Sequence, residues 1–309
     1  MEQASQLVSV LIGSRDRPSS LIHCLSSIIT QTYVNIEIIV LDDNSEEIFY
    51  GKIKQEFDDP RIRCIRSNST LGVAAGRNRL AKEAKGDYLI VLDDDARFRY
   101  KDSIEKVVNL FNIHDDVGLL AFKIVDIIDN EERGMRIPFP RNAIRKNPEI
   151  LNESQLVSYY LGGGHSMKKE VFDICGLYPD NLFFGGEELD LSYRILENGY
   201  KLFYVPDIVV DHFPDYTEVL SRATSSKYLY FTIRNKIWIN YKYLPWFPFI
   251  VNSAIWIFIL LASSITKGSF LELVKGIKDG ITGIRKLNRT PLSNSTVAYL
   301  KRNYGRLFR

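Results

Sequence analysis

The first 95 residues alternate between two hydrophobic periods, and that alternation leaves few folds open to the chain. Residues 8–12 form a short apolar run ending in the turn-prone Gly13-Ser14-Arg15-Asp16-Arg17-Pro18. Residues 19–30 then space Leu21, Leu25, Ile28 and Ile29 at helical intervals. A second β-branched run, 36–41, is closed by Asp42-Asp43-Asn44-Ser45. The spacing further predicts a helix over 47–57, a strand at 62–65 and a helix over 70–85. A buried strand at 88–92 follows and stops at Asp93-Asp94-Asp95. Short apolar strands separated by helices of about 10–15 residues mean βαβ units in an α/β fold, with a mostly parallel sheet covered on both faces. In such sheets ligands bind outside the carboxyl ends of the strands. The clusters Ser14-Arg15-Asp16, Asp42-Asp43 and Asp93-Asp94-Asp95 are therefore expected on one rim.

Beyond that half, a helix is expected at 103–112 and a strand near 117–123. Residues 126–152 are polar, rich in Pro and Arg and without clear period, and read as a loop beside the site. Gly162-Gly163-Gly164-His165 leads into a strand-like 166–168 and a short helix at 169–175. Gly185-Gly186-Glu187-Glu188 opens a helix running to Asn198 and capped by Gly199, and strands are expected at 201–205 and 208–211. There is no internal repeat. A length of 309 residues allows one large domain with an extension, or two small ones.

The net charge of +2 hides an asymmetry: residues 212–309 carry 15 basic and 4 acidic side chains, a net of +11, which leaves −9 on residues 1–211. Trp246–Ile265 is a stretch of twenty residues without a charge inside that basic tail, with Pro248, Asn252 and Ser253 interrupting it. Its unbroken core, 254–262, is short for a bilayer span, so it reads as an interfacial or re-entrant helix, the alternatives being a true span or a buried core helix. A basic tail invites nucleic acid, but basic residues around an apolar run point to anionic lipid instead. Cys24, Cys64 and Cys175 match no zinc or redox spacing, which favours a reducing compartment. The start MEQASQLVSV lacks the charged and apolar regions of a signal peptide, so the body is expected to face the cytosol.

Carboxylates two apart on an extended segment point the same way, so Asp93 and Asp95 can share one hard cation. Oxygen ligands suit Mg²⁺ or Mn²⁺, which bind substrate phosphates through their remaining positions. There is no GxxxxGK[ST] and no GxGxxG after the first strand, which disfavours a Walker site and dinucleotide binding. Asp42 or Asp43 is placed to accept from a base imide or a ribose hydroxyl, or serves only a turn. Glu187, Glu188 and Asp190 at a helix start favour the helix dipole. A crowded carboxylate there, after two glycines, also suits a general base. His212 becomes a metal ligand only if its loop closes on the cation.

In order along residues 7–212, VSVLIGSRDRP, EIIVLDDNS, LGVAAGRNRLAKEAKGDYLIVLDDD, GGGHSMKKEVFDICGLYPDNLFFGGEELDLSYRILENGYKLFYVPD and VVDH resemble the inverting glycosyltransferases of family 2, whose fold is called GT-A. The tail, with YFTIRNKIWI and GIKDGITGIRK, is similar to the bacterial branch of rhamnosyl- and galactofuranosyl-type transferases of surface polysaccharides. The resemblance implies Asp93 and Asp95 on the metal of the donor diphosphate, completed by His212, and Asp94 against the ribose. It implies Asp42 or Asp43 at the base with Ser14 and Arg15 beside it, and Arg77 and Asn78 near the donor. Glu188 takes the catalytic-base position, where the family more usually has the Asp of a Glu-Asp pair, which leaves the base on Glu187 or Glu188. Gly163, Gly164 and His165, with Asp190 and the loop 126–152, would frame the acceptor.

The expected organisation is a catalytic domain over 1–215, with its nucleotide-sugar half at 1–100 and its acceptor half at 101–215. A basic, aromatic, membrane-associating helical extension follows at 216–309. The expected reaction is a single displacement from a UDP- or dTDP-sugar onto a hydroxyl of a glycan or lipid-linked acceptor, with inversion, at the cytoplasmic face of the membrane. Two rival readings are a sugar-nucleotide-forming nucleotidyltransferase, which would release pyrophosphate, and a non-catalytic carbohydrate-binding protein on the same fold.

Overall fold

In the first half, β-branched runs form the strands β1 (Val8–Ser14), β2 (Ile36–Asp42), β3 (Ile62–Arg66) and β4 (Tyr88–Asp93). They pair in parallel in the order β3-β2-β1-β4. Helices α1 (Pro18–Ile29), α2 (Tyr50–Glu56) and α3 (Gly72–Glu83) make the crossovers. The chain is described here from a computed structural model over residues 6–47, 50–183, 185–215, 226–266 and 269–308. Residues 1–5 of the leader reading, Ile48 and Phe49 of the expected second helix, residues 216–225 at the start of the expected extension and Lys267 lie outside the described residues.

The sheet continues through β9 (Gly164–Lys168), which runs antiparallel between β4 and β6 (Val117–Ile128), and then β10 (Lys201–His212), parallel to β6. The short β5 (Ala96–Phe98) pairs antiparallel with the far edge of β10. Alternate strand residues fill two cores. One is made with α1 and α4 (Ser103–Ile113), the other with α3, α6 (Lys169–Cys175) and α7 (Glu187–Glu197).

Two expectations change. The segment 126–152 is ordered: Asp129 and Asn130, with φ of +54° and +62°, turn β6 back into β7 (Glu131–Arg136), and α5 (Arg141–Lys146) follows. Two consecutive left-handed residues are the requirement of a type I′ hairpin, which Asp-Asn can meet. The two strands expected at 201–205 and 208–211 are one, β10. Its pairing to β6 shifts between Val205 and Val209, around Pro206, which can donate no ladder bond.

The C-terminal part is helical: α8 (Ser226–Tyr243), α9 (Trp246–Thr266), α10 (Phe270–Gly283) and α11 (Asn294–Arg302). A small core of Leu229, Ile233, Ile237, Leu260 and Leu273 joins α8, α9 and α10. Ile239, Tyr243, Leu292 and Leu300 belong instead to the second core of the body, so α8 and α11 are packed onto it. All three cysteines are free thiols.

Candidate active site

Parallel register brings the strand ends together: Ser14 lies opposite Asp42, and Gly13 opposite Asp93. Asp42 is fully buried, with Oδ1 accepting from the Ser45 amide at 2.9 Å and Oδ2 pairing with Arg66 at 2.6 Å. Asp43 accepts from the amides of Leu71 at 2.7 Å and Gly72 at 2.9 Å, which fixes the loop into α3. Both carboxylates thus hold loops 42–45 and 67–72 in shape, work that the expected base contact did not include. Ser14 donates to Asp94 Oδ2 at 2.7 Å, while Arg15 points outward beside Asp16.

Three carboxylates crowd the end of β4, and two of them are answered by a residue missed in the sequence. Arg17, at the entrance to α1, reaches Asp94 Oδ1 at 2.8 Å and Asp95 Oδ2 at 3.0 Å. Burial nevertheless pushes the Asp94 carboxyl up to about 7, against the pull of Arg17 and Ser14. Burial raises Asp95 as well, partly offset by His212.

His212 ends β10 with β6 on one side and β5 on the other, so the register sets it opposite both Asp126 and Ala96, the residue after Asp95. Its Nδ1 is 2.7 Å from Asp126 Oδ1, and its Nε2 is 3.4 Å from Asp95 Oδ1. A carboxylate at Nδ1 fixes the proton there and leaves the Nε2 lone pair for a cation. Among the described residues, Asp95 Oδ1 is buried with no hydrogen-bond partner. Ligand atoms of Asp93, Asp95 and His212 all lie within 4.8 Å of one another. An orphaned carboxylate oxygen beside a free imidazole nitrogen and a second carboxylate fits a hard divalent cation.

Opposite this trio, Gly186 adopts φ +97° and starts α7, which presents Glu187 and Glu188. Arg77, buried on α3, connects the two halves: it lies 3.3 Å from Asp93, 3.4 Å from Glu188 and 3.9 Å from Glu187. Burial opposes its charge, but Asp93, Tyr178, Glu188 and Glu187 hold it firmly protonated. Burial, reinforced by the charge of Glu188, pushes the Glu187 carboxyl up to about 7. Between pH 4.5 and 7 the folded chain therefore keeps a proton that the unfolded chain has lost, and stability falls as pH rises through that window. Glu187→Gln is expected to flatten this slope, by up to about 3 kcal/mol between its two ends, in chelator-treated protein unfolded by urea at each pH.

The glycine run lies across the gap. A Cβ on Gly162 would collide with the Glu188 carboxylate and with Arg77, and one on Gly163 would come within 2.9 Å of Asp93 Oδ2. Gly164 is strand residue one of β9. Three expected site residues serve structure instead. His165 is fully buried in β9, 3.0 Å from the Tyr178 hydroxyl and packed at a tilt against the Tyr160 ring, which leaves it no surface to offer an acceptor, and burial drives its pKa well down. Asp190 is taken up by Arg194 at 2.7 Å, Tyr243 at 2.9 Å and Lys242 at 3.1 Å, tying α7 to α8. Asn78 bonds to Tyr178 and Asp180, pinning α3 to that loop.

Asp126 and Arg17 left no signal of their own in the sequence. Asp126 is brought to the site only by the pairing of β6 with β10, which sets it opposite His212, 86 positions later, and Arg17 lies in a loop whose folding back on β4 no period reveals.

Residues 9–175 match the profile of Glycosyl transferase family 2. The chain is 26% identical to an uncharacterized glycosyltransferase of Methanocaldococcus jannaschii over 92% of its own length and 97% of that protein's. Over 90 residues, 29% of this chain and only 36% of the relative, it is 39% identical to an Escherichia coli UDP-Glc:alpha-D-GlcNAc-diphosphoundecaprenol beta-1,3-glucosyltransferase. Among solved structures, a mannosyltransferase from Pyrobaculum calidifontis in complex with GDP-Man and Mn²⁺ superposes with a TM-score of 0.57. That match covers 96% of this chain and 79% of that one, at 14% identity, and is a likeness of fold.

Proposed function

Since the chain belongs to glycosyl transferase family 2 and has the GT-A fold, we propose that it transfers a sugar, with inversion, from a UDP- or dTDP-sugar to a hydroxyl of a glycan or lipid-linked acceptor. The observation that carries this reading is the constellation around Arg77. Carboxylates suited to a cation and carboxylates suited to a base face each other across one guanidinium, beside a glycine segment whose backbone comes close to both. Glu188 takes the proton from the acceptor hydroxyl, which attacks the anomeric carbon from the side opposite the diphosphate. Burial and the charge of Glu188 push the Glu187 carboxyl up to about 7, so that below neutrality it holds a proton and keeps a second negative charge away from that base. Arg77 orients Glu188 and neutralises Asp93, and Asp94 stands beside the donor ribose. Asp93, Asp95 and His212 would hold Mg²⁺ or Mn²⁺, with Asp126 fixing the imidazole; a divalent cation there supplies positive charge against the leaving diphosphate.

The extension 216–309 would hold this site at the cytoplasmic face of the membrane, in line with a role in surface-polysaccharide synthesis of the rhamnosyl- or galactofuranosyl-transferase kind. What supports membrane contact is an inverted helix. On α9 the polar Asn252, Ser253 and Ser264 face inward, while Phe247 (70% exposed), Ile250 and Phe258 (74% exposed) face outward. With a mean hydropathy of 2.0 over Trp246–Ile265, that is a face for lipid rather than water. In flotation with phosphatidylglycerol vesicles, the wild-type chain is expected to rise with the lipid. A Phe247→Glu/Phe258→Glu double variant should stay in the protein fraction, and if it rises equally the lipid contact lies elsewhere.

The activity itself is tested by incubating the purified chain with a panel of nucleotide sugars, with Mn²⁺ and with chelator. Metal-dependent release of the nucleoside diphosphate is expected. Pyrophosphate release from a nucleoside triphosphate and a sugar 1-phosphate, supplied in a parallel incubation, would identify a nucleotidyltransferase instead, and stabilisation by nucleotide sugar without turnover a binding protein.

A further inference from the structure

Between α8, α9 and the C-terminal segment lies a group of donors that has no part in the chemistry above, Lys236 and Tyr193 buried and Trp256 and Arg306 half-buried. Lys236 on α8 is buried, with Nζ 4.9 Å from the Trp256 ring of α9. Arg306, after α11, stacks 3.7 Å over the Tyr159 ring. Among the described residues, neither cation has a carboxylate within 4.0 Å. Burial and the like charge of Arg306 together lower the Lys236 ammonium to about 7. Two more donor atoms are buried and, among the described residues, without an acceptor: the Trp256 indole Nε1 and the Tyr193 hydroxyl, the latter within the field of Arg306. Buried cations normally find carboxylates, and buried donors normally find acceptors. A cluster holding four donor groups and no anion is built to receive one.

Its position says which anion. Tyr159, under Arg306, opens the segment that three residues later reaches Gly162, against Glu188 and Arg77, and then Gly163, against Asp93. Three residues span at most about 10 Å. Arg306 is thus joined to the glycines beside the proposed base by one aromatic ring and three residues, and its carbonyl accepts from Asn252 of the lipid-facing helix at 3.0 Å. We infer that Lys236 and Arg306 bind the phosphate of a lipid-linked acceptor, a polyprenyl phosphate or diphosphate ester whose sugar reaches Glu188. The inference rests on the transferase reading and names its acceptor class. The chain fixes the reducing end of the acceptor through charge, and the apolar face of α9 lies beside the lipid chain.

The test uses the full chain in detergent with chelator present, so that no cation bridges a diphosphate to Asp93 and Asp95. Farnesyl diphosphate is the probe and farnesol its control, with binding read by Tm and by titration. The diphosphate should stabilise the wild-type chain and farnesol should not. Lys236→Met and Arg306→Gln should each weaken diphosphate binding about tenfold or more, while Arg306→Lys retains part of it. Because Lys236→Met removes an uncompensated buried charge, its own Tm without ligand should rise. Both variants should keep the metal-dependent hydrolysis of nucleotide sugar shown by the wild type. Equal affinity for diphosphate in wild type and variants overturns the inference. So does loss of phosphatidylglycerol flotation in the variants with diphosphate binding unchanged, which would make the pair a headgroup contact. A wild-type chain without nucleotide-sugar hydrolysis would sink the transferase reading alone, since diphosphate binding is measured separately.

Discussion

Glu188→Gln is expected to lower sugar transfer by roughly 10²–10⁴, the usual effect of removing a general base. The substitution keeps the size of the side chain and one acceptor oxygen near Arg77, 3.4 Å away in the wild type, so folding should be unharmed. Donor binding should also survive, because Glu188 lies across Arg77 from the cation trio and is not one of its ligands. The signature is therefore a fall in kcat with little change in the donor KM. Glu187→Gln should be much milder below neutrality, since burial and the charge of Glu188 already favour the neutral form of that carboxyl there. Reversal of the two effects would move the base to Glu187.

Asp95→Ala is the second large effect, expected at roughly 10²–10⁴ in turnover with several kcal/mol of charge stabilisation lost. Among the described residues Asp95 Oδ1 has no hydrogen-bond partner, and the substitution gives up the Oδ2 pair with Arg17, which keeps its pair with Asp94. Removing the carboxylate also relieves its repulsion of Asp93 and Asp94, and the variant should be at least as stable as the wild type. Asp126→Asn separates positioning from ligation. The imidazole loses the carboxylate at its Nδ1, so the metal concentration for half-activity should rise about 10–100-fold while activity at saturating metal largely returns. An Asp95→Ala chain with full turnover would remove the cation from the account.

The nucleotide half was legible because each of its elements is local. The strands at Val8–Ser14 and Tyr88–Asp93 are continuous apolar runs, and a parallel sheet needs little else for its carboxyl-end residues to converge. Asp93, Asp95 and His212 could each be named from motif order, and strand register brings them together. What the sequence hid were pairings across long separations and exchanges of polar partners. Asp126 was assigned to a loop because the Asp129-Asn130 turn is a short signal inside a polar stretch. His165 and Asp190 resembled site residues because polar residues near a glycine run or a helix start suggest function. Only the tertiary partners, Tyr178 for one and Arg194, Lys242 and Tyr243 for the other, reveal them as internal ties. The tail was legible as apolar and basic, but which face of α9 turns outward depends on how Asn252 bonds to Asn240 and to the Arg306 carbonyl.

The central claim is a single displacement assisted by Glu188 on a nucleotide sugar held at Asp93, Asp95 and His212. Its most direct measurement is the anomeric configuration of the first-formed product, followed by NMR during Mn²⁺-dependent turnover of an α-linked donor. A β-configured product, absent with chelator and absent in Glu188→Gln, is the predicted result. An α-configured product, or turnover indifferent to chelator and to Glu188, would contradict it.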